Sequence, residues 1–263
     1  MRTLWEVAKL AIQRQLTYRA ATFAGLITNF FFGLLRAAIL VALFGQRQEV
    51  AGLTVQGAIT YTGLTQAVIG YLSLFRWTEV MDSVYSGEIS SALLKPMNFF
   101  TFWLSQDLGR ALVNAVLRGL PIMFLYALVF DITIPSQSGQ WLAVLAALIL
   151  GWLVSFSWRF LVNLAAFWTP NARGVGRFAF GLSWVLSGFI MPLRLFPEWF
   201  VQFCNFTPFP SMINTVVEVY LGVLDSQAVI RALLTQGCWV ILLVTVAHLV
   251  LQAGTRRLVI QGG

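Results

Sequence analysis

Long apolar segments alternate with short polar connections along most of the chain. A hydrocarbon layer about 30 Å thick requires about 20 apolar residues in a helix, so the pattern predicts about six membrane-spanning helices. We therefore expect an all-α integral membrane protein in which residues 1–263 form a single transmembrane domain. The predicted spans lie near residues 21–44, 57–76, 104–130, 141–168, 175–195 and 227–252.

The start of the chain follows a different pattern. At about 100° per residue, Leu4 and Ala8 share one side of a helix, and Lys9 and Gln13 share the other. This spacing predicts an amphipathic helix over residues 1–20 that lies along the membrane surface. The apolar run that follows is too long for a signal peptide, so we expect it to remain as a span.

Two connections are longer than simple turns. Residues 77–98 are polar and predict two short helices, broken at Gly87 and ended before Pro96. Residues 192–225 contain several prolines but stay apolar, a combination typical of a re-entrant segment whose backbone is satisfied by protein. We expect short re-entrant helices at the outer side of the membrane there.

Composition excludes a soluble domain. The chain is 59% hydrophobic and 10% charged, whereas soluble domains contain about 25% charged residues. The net charge of +7 comes from basic residues scattered singly at segment ends, which is typical of topology signals and gives no reason to expect a nucleic-acid partner. Most of these residues fall on one side of six spans, so we expect both termini to be cytoplasmic. They are Arg2, Lys9, Arg14, Arg19, Arg76, Lys95, Arg173, Arg177, Arg256 and Arg257.

Motifs of enzymes are missing from the sequence. It contains no GxxxxGK[ST], GxSxG, HExxH or GxGxxG pattern. Cys204 and Cys238 are far apart, and His248 has no second ligand nearby in sequence. We therefore expect no catalytic, cofactor-binding or metal-binding residue in this chain.

Several polar residues fall within the predicted spans. On an ideal helix, Asp107, Arg110, Asn114 and Arg118 lie within an arc of about 80°. Guanidinium groups bind oxyanions bidentately, so one interpretation is a path for an anionic cargo. The other is that Arg110 pairs with Asp107 near the inner interface and that the remaining residues serve packing. The candidate path residues are Arg36, Gln66, Asn114, Arg118, Arg159 and Asn163.

The polar connection at 77–98 is the second candidate site. Short helices between two spans could transmit the motion of a soluble partner, and acidic side chains could bind basic residues of that partner. An ordinary solvated connection is the alternative. The candidate residues are Glu79, Asp82, Ser83, Ser86, Gly87 and Glu88.

Four segments together resemble a known family, the permease subunits of type-2 ABC exporters, including the daunorubicin-resistance-like group. They are residues 86–96 (SGEISSALLKP), 191–199 (MPLRLFPEW), 207–210 (TPFP) and 219–222 (VYLG). The resemblance implies that the N-terminal helix is interfacial, that part of 77–94 is a coupling helix seated in an ATPase, and that 192–224 plugs the exit. The implied outer gate residues are Pro192, Pro197, Trp199, Pro208 and Pro210.

The resemblance also implies the partners. An ABC ATPase subunit would bind ATP and Mg²⁺, and a second permease, identical or related, would complete a dimer in the bacterial cytoplasmic membrane among its lipids. The cargo would be a drug, a lipid or a glycan-like molecule moved outward. Two alternatives remain: a secondary transporter, which needs carboxylates in its spans where this chain has Asp107 alone, and a membrane scaffold.

Overall fold

The computed structural model describes residues 2–17, 19–72, 78–89, 94, 97–169 and 171–257, and this part of the chain is almost entirely helical. Two-residue strands β1 (Glu49–Val50) and β2 (Leu53–Thr54) pair in an antiparallel hairpin between α2 and α3. The helices are α1 (Arg2–Thr17), α2 (Arg19–Phe44), α3 (Val55–Tyr71), α4 (Glu79–Tyr85), α5 (Phe99–Asn114), α6 (Leu120–Val129), α7 (Ser138–Asn163), α8 (Ala172–Leu186), α9 (Glu198–Asn205), α10 (Asn214–Leu221) and α11 (Ser226–Thr255).

Within the described ranges, four helical segments are long and apolar enough to cross a membrane. They coincide with four of the predicted spans. α3 and α8 lie in the other two, but their 17 and 15 residues extend only about 25 and 22 Å. The total of about six spans therefore stays a prediction. The four long segments are Ala20–Phe44, Phe99–Val129, Ser138–Phe167 and Ser226–Thr255.

α8 ends at Leu186 rather than near residue 195, because the backbone turns at Gly188. Gly188 has a φ of +80°, and a Cβ there would lie 2.7 Å from the hydroxyl oxygen of Tyr61. That hydroxyl donates a 2.6 Å hydrogen bond to the Gly188 carbonyl. A residue with a side chain would be strained at this position, so glycine permits the close contact between α3 and the end of α8.

α3 is buried inside the chain along nearly its whole length. Its small and polar residues favour this position, because they let neighbouring helices approach closely. Tyr126 of α6 fits between α2 and α3, because Gly33 and Gly63 leave room for its ring. Its hydroxyl lies 3.1 Å from the Thr62 hydroxyl. Large apolar side chains on the outer faces of α2, α6, α7 and α11 are exposed, as expected where lipid or another membrane protein is the solvent.

α1 packs along α5. A Cβ on Gly109 would collide with the Ala8 carbonyl, so the glycine allows the two backbones to touch. The predicted N-terminal helix is confirmed over Arg2–Thr17. Its position at the membrane surface stays a prediction.

The segment predicted as short outer helices contains α9 and α10. Arg194 holds it in place: its Nε is 2.9 Å from Oε1 of Glu218, and its Nη1 donates to the Ala51 carbonyl in the β hairpin. Re-entry of this segment into the membrane stays a prediction. Of the predicted gate residues, Pro192, Pro208 and Pro210 are buried, Pro197 is exposed, and Trp199 is 70% exposed.

Candidate coupling site

α4 forms the described part of the predicted cytoplasmic hairpin. Glu79 and Asp82 lie in its first turn, where the helix dipole favours acidic side chains. The helix ends at Tyr85 because Gly87 adopts a left-handed φ of +76°, which agrees with the predicted break there. Residues 77, 90–93 and 95–96 of the hairpin lie outside the described residues.

Asp107 of α5 is the centre of a buried charge cluster. Its side chain is fully buried and accepts hydrogen bonds of 3.1 and 2.8 Å from the two terminal nitrogens of Arg159. The indole nitrogen of Trp152 donates a third hydrogen bond, at 2.8 Å. A buried carboxylate requires this compensation, and the two-nitrogen contact is the geometry that guanidinium groups favour.

Arg110 connects this cluster to α4. Its Nη1 forms an ion pair with Glu79, and its Nη2 lies 3.4 Å from the Asp107 carboxylate. The four charged side chains form a continuous ionic chain, Glu79–Arg110–Asp107–Arg159, in which two negative and two positive charges balance. α4, α5 and α7 are thereby joined through their charges.

Backbone contacts strengthen the same junction. The Asn163 side chain of α7 accepts a 3.0 Å hydrogen bond from the Met81 amide and donates a 2.6 Å bond to the Arg159 carbonyl. A cavity of about 20 Å³ lies inside the ionic chain, enough for about one water molecule. The predicted role of Arg159 and Asn163 in a translocation path stays a prediction.

A second set of contacts joins α4 to the connection between α7 and α8. The Tyr85 hydroxyl donates to the Thr169 carbonyl at 3.1 Å and accepts from the Ala172 amide at 3.0 Å. Asp82 forms a 2.7 Å ion pair with Arg173, and both side chains are largely exposed. The hairpin helix therefore touches both the long helices and the next cytoplasmic connection.

The predicted coupling residues are thus engaged within the chain itself. Glu79 and Asp82 pair with Arg110 and Arg173, while the Ser83 hydroxyl donates to a carbonyl of its own helix. The Ser86 hydroxyl lies 3.5 Å from the Glu88 amide. Sequence reasoning missed the Glu79–Arg110 pair, since nothing in the pattern relates residues 31 positions apart. The coupling role itself stays a prediction.

The six predicted path residues do not form one site. Arg159 and Asn163 belong to the charge cluster. The other four border the contact between α2 and α3. Arg36 donates to Thr65 and to the carbonyls of Phe189 and Ile190. Gln66 is buried near Gly33, and Asn114 and Arg118 lie against Gly70.

A π turn over Ala115–Gly119 separates Arg118 from Asp107 and Arg110. Pro121 explains the turn, because its ring would clash with the Leu117 carbonyl of a regular helix and it has no amide hydrogen to donate. Arg118 also lies about 16 Å beyond Asp107 along the helix axis, so sharing an arc does not bring it into the charge cluster. Arg118 faces α2 and α3 instead of the charge cluster.

A family model described as "ABC-2 family transporter protein" matches residues 28–262. The chain belongs to this family. No curated protein matches the chain. Members of the ABC-2 family are membrane subunits that work with an ABC ATPase and are not ATPases themselves. The matched region of this ABC-2 family protein contains α4 and the whole charge cluster, and it begins after α1.

Proposed function

We propose that this ABC-2 family protein is the permease subunit of an ATP-driven exporter in a bacterial cytoplasmic membrane. It has about six spans and both termini in the cytoplasm, and it pairs with an identical or related permease. A separate ABC ATPase subunit binds ATP and Mg²⁺. The cargo is a hydrophobic or amphiphilic molecule such as a drug, a lipid or a glycan-like compound.

The observation that carries the proposal is the attachment of α4 to the long helices. Its first residue pairs with Arg110 of α5, and the amide of Met81 bonds to Asn163 of α7. The Arg110 side chain is 10% exposed and that of Glu79 31%, so solvent screens this ion pair less than one on the surface. Displacing α4 therefore pulls on α5 through this pair and on α7 through the Met81–Asn163 bond. An ATPase that pushes on α4 would therefore move α5 and α7 directly.

The exporter hypothesis is tested with the complete complex of permease and ATPase in proteoliposomes. The Glu79→Gln variant removes the charge that joins α4 to Arg110, so we expect ATP hydrolysis to continue while transport per ATP falls at least fivefold. Glu49→Gln in the exposed part of the β hairpin is the matched control and should transport at the parental rate. Normal transport by Glu79→Gln would remove this link from the mechanism.

A secondary transporter is the main alternative. Asp107 is the one acidic residue in the four long apolar segments of the described chain, and Arg159 and Trp152 already bind it. A carboxylate held this way is poorly suited to carry a coupling ion. Transport that persists without ATP and stops when ionophores collapse the ion gradients would favour that alternative. A scaffold would show no transport in either condition.

A further inference from the structure

Arg118 differs from the other arginines of the long apolar helices that are at least partly buried, which are Arg36, Arg110 and Arg159. It lies near the middle of the predicted span 104–130. Arg36 is compensated by carbonyls and a hydroxyl, and Arg159 by Asp107. Within the described ranges, by contrast, Arg118 forms no ion pair, and its buried Nε lacks a hydrogen-bond partner, as do the Nε atoms of Arg36 and Arg159. An uncompensated charge at membrane depth costs free energy, so a partner for it is expected.

Glycines on two facing helices make room for this side chain. A Cβ on Gly25 of α2 would overlap the Arg118 guanidinium. On Gly70 of α3, a Cβ would lie 3.7 Å from the Arg118 Cδ and 3.9 Å from the Asn114 Cβ. The guanidinium therefore lies directly between the α2 and α3 backbones.

Two buried amide side chains on neighbouring helices have unsatisfied atoms, and one of them, Asn114, lies against Gly70 together with Arg118. Asn114 is 8% exposed and Asn29 is 6% exposed. Within the described part of the chain, Asn114 Oδ1 and Asn29 Nδ2 have no hydrogen-bond partner. Asn29 is one turn from Gly25 and one turn from Gly33, so all three lie on the face of α2 that contacts α3 and α6. Buried polar atoms are normally satisfied, and Asn29 Nδ2 is a donor, so it indicates an acceptor oxygen from a ligand, whereas Asn114 only borders the place.

A second copy of this chain offers no acidic residue for Arg118 from its described long apolar helices, since Asp107 is the one carboxylate there and it is already paired. The compensating negative charge must come from another molecule. A phosphate group suits the site, because it accepts two hydrogen bonds from a guanidinium and has further oxygens for the amide of Asn29. The apolar surroundings require an apolar tail on that group.

We infer that Gly25, Asn29, Gly70, Asn114 and Arg118 form a binding site for the phosphate head of an amphiphile. This inference rests on the proposed function, for which it names the cargo class as phosphate-bearing amphiphiles. The π turn over Ala115–Gly119 contains Arg118 and packs against α3. Arg159, in the charge cluster, takes no part.

Binding is measured with the full chain, purified without the ATPase in the uncharged detergent dodecyl maltoside. The probe is dodecyl phosphate, and native mass spectrometry counts bound molecules and gives an apparent Kd. We expect the parent to bind one molecule, and Arg118→Gln to bind at least tenfold more weakly. Gly25→Ala keeps the charge but displaces the guanidinium, so it should also bind at least fivefold more weakly. Arg231→Gln, which removes an exposed positive charge elsewhere, should stay within twofold of the parent.

Equal affinity of Arg118→Gln and the parent would overturn the inference, and so would an equal loss in Arg231→Gln. If Arg118→Gln aggregates, the Gly25→Ala variant replaces it, and equal affinity of Gly25→Ala and the parent would overturn the inference. Inorganic phosphate should not displace the probe, because it has no tail. If phosphatidylglycerol displaces the probe, the occupant is the head group of a membrane lipid. If phosphatidylglycerol does not displace the probe, the occupant is a phosphate-bearing cargo.

The two proposals fail separately. If the parent protein binds the probe but shows no ATP-dependent transport, the exporter hypothesis is overturned and the binding site stands. Normal coupling to the ATPase with no probe binding would overturn the site and leave the exporter hypothesis.

Discussion

The Asp107 carboxylate lies 2.8 Å from the Nη2 atom of Arg159, and both side chains are buried. Asp107 lies at the middle of α5, and Arg159 lies near the end of α7. The pair therefore fixes the two helices against each other. The pair also continues, through Arg110, to the first residue of α4.

Asp107→Asn should destabilise the protein strongly. The variant leaves Arg159 buried without a negative partner, which costs about 3–5 kcal/mol. The midpoint of thermal unfolding in detergent measures the loss. Asp131→Asn, at an exposed position, is the matched control and should unfold like the parent. The double variant Asp107→Asn with Arg159→Met removes both charges and should lose less than Asp107→Asn alone. A double variant no more stable than the single one would contradict the ion pair as the source of stability.

A charge swap tests whether Asp82 acts within the chain or on the ATPase. Exposed ion pairs contribute about 0–1 kcal/mol, so Asp82→Arg should fold normally while lowering transport per ATP. If the Asp82–Arg173 contact transmits motion, adding Arg173→Asp restores transport, because the pair is rebuilt with reversed charges. Transport assays in proteoliposomes with the ATPase give the comparison. Failure of the swap, together with weaker ATPase binding, would instead assign Asp82 to the partner interface.

Gly188 and Gly181 offer a matched pair of glycine replacements. Gly188→Ala should lower the free energy of unfolding by about 1–3 kcal/mol, because the φ of +80° is strained for a side chain and the new Cβ approaches the Tyr61 hydroxyl. Gly181→Ala lies inside α8 with open space around it and should raise stability by about 0.5–1 kcal/mol. Thermal unfolding of both variants measures the difference. Equal effects would contradict the turn at Gly188.

Reporter fusions test the topology. With both termini cytoplasmic and about six spans, a fusion ending at Gly139 should report the outer side, and a fusion at Gly263 the inner side. A reporter that is active only outside the cytoplasm distinguishes the two. The same side for both fusions would contradict the predicted topology and would require an even number of spans between them.

Sequence pattern predicts the long helices well because each is defined by one local property, a run of apolar residues. It predicts the end of α4 because Gly87 is a local signal. It overextends α8, since the turn at Gly188 depends on Tyr61, which is distant in sequence. Pairings such as Glu79 with Arg110 are missed for the same reason.

The direction of Arg118 is an intermediate case. Periodicity alone placed it with Asp107, but Pro121 was visible in the sequence and is incompatible with a regular helix through Leu117. That proline predicts an irregular turn around Arg118, and the distance along the helix already separates Arg118 from the charge cluster. Its neighbours Gly25 and Gly70 could not be found this way, because helix packing brings them together.

The ionic chain also constrains how this sequence can change over generations. Neutralising Glu79, Arg110, Asp107 or Arg159 alone unbalances the two negative and two positive charges, so each single step carries a penalty, largest at the fully buried Asp107. Lineages that lose one of these charges should therefore also lose its counterpart, and apolar replacements should arrive in pairs. Homologous sequences should then show these four positions changing together, while the exposed Asp82 and Arg173 vary more freely.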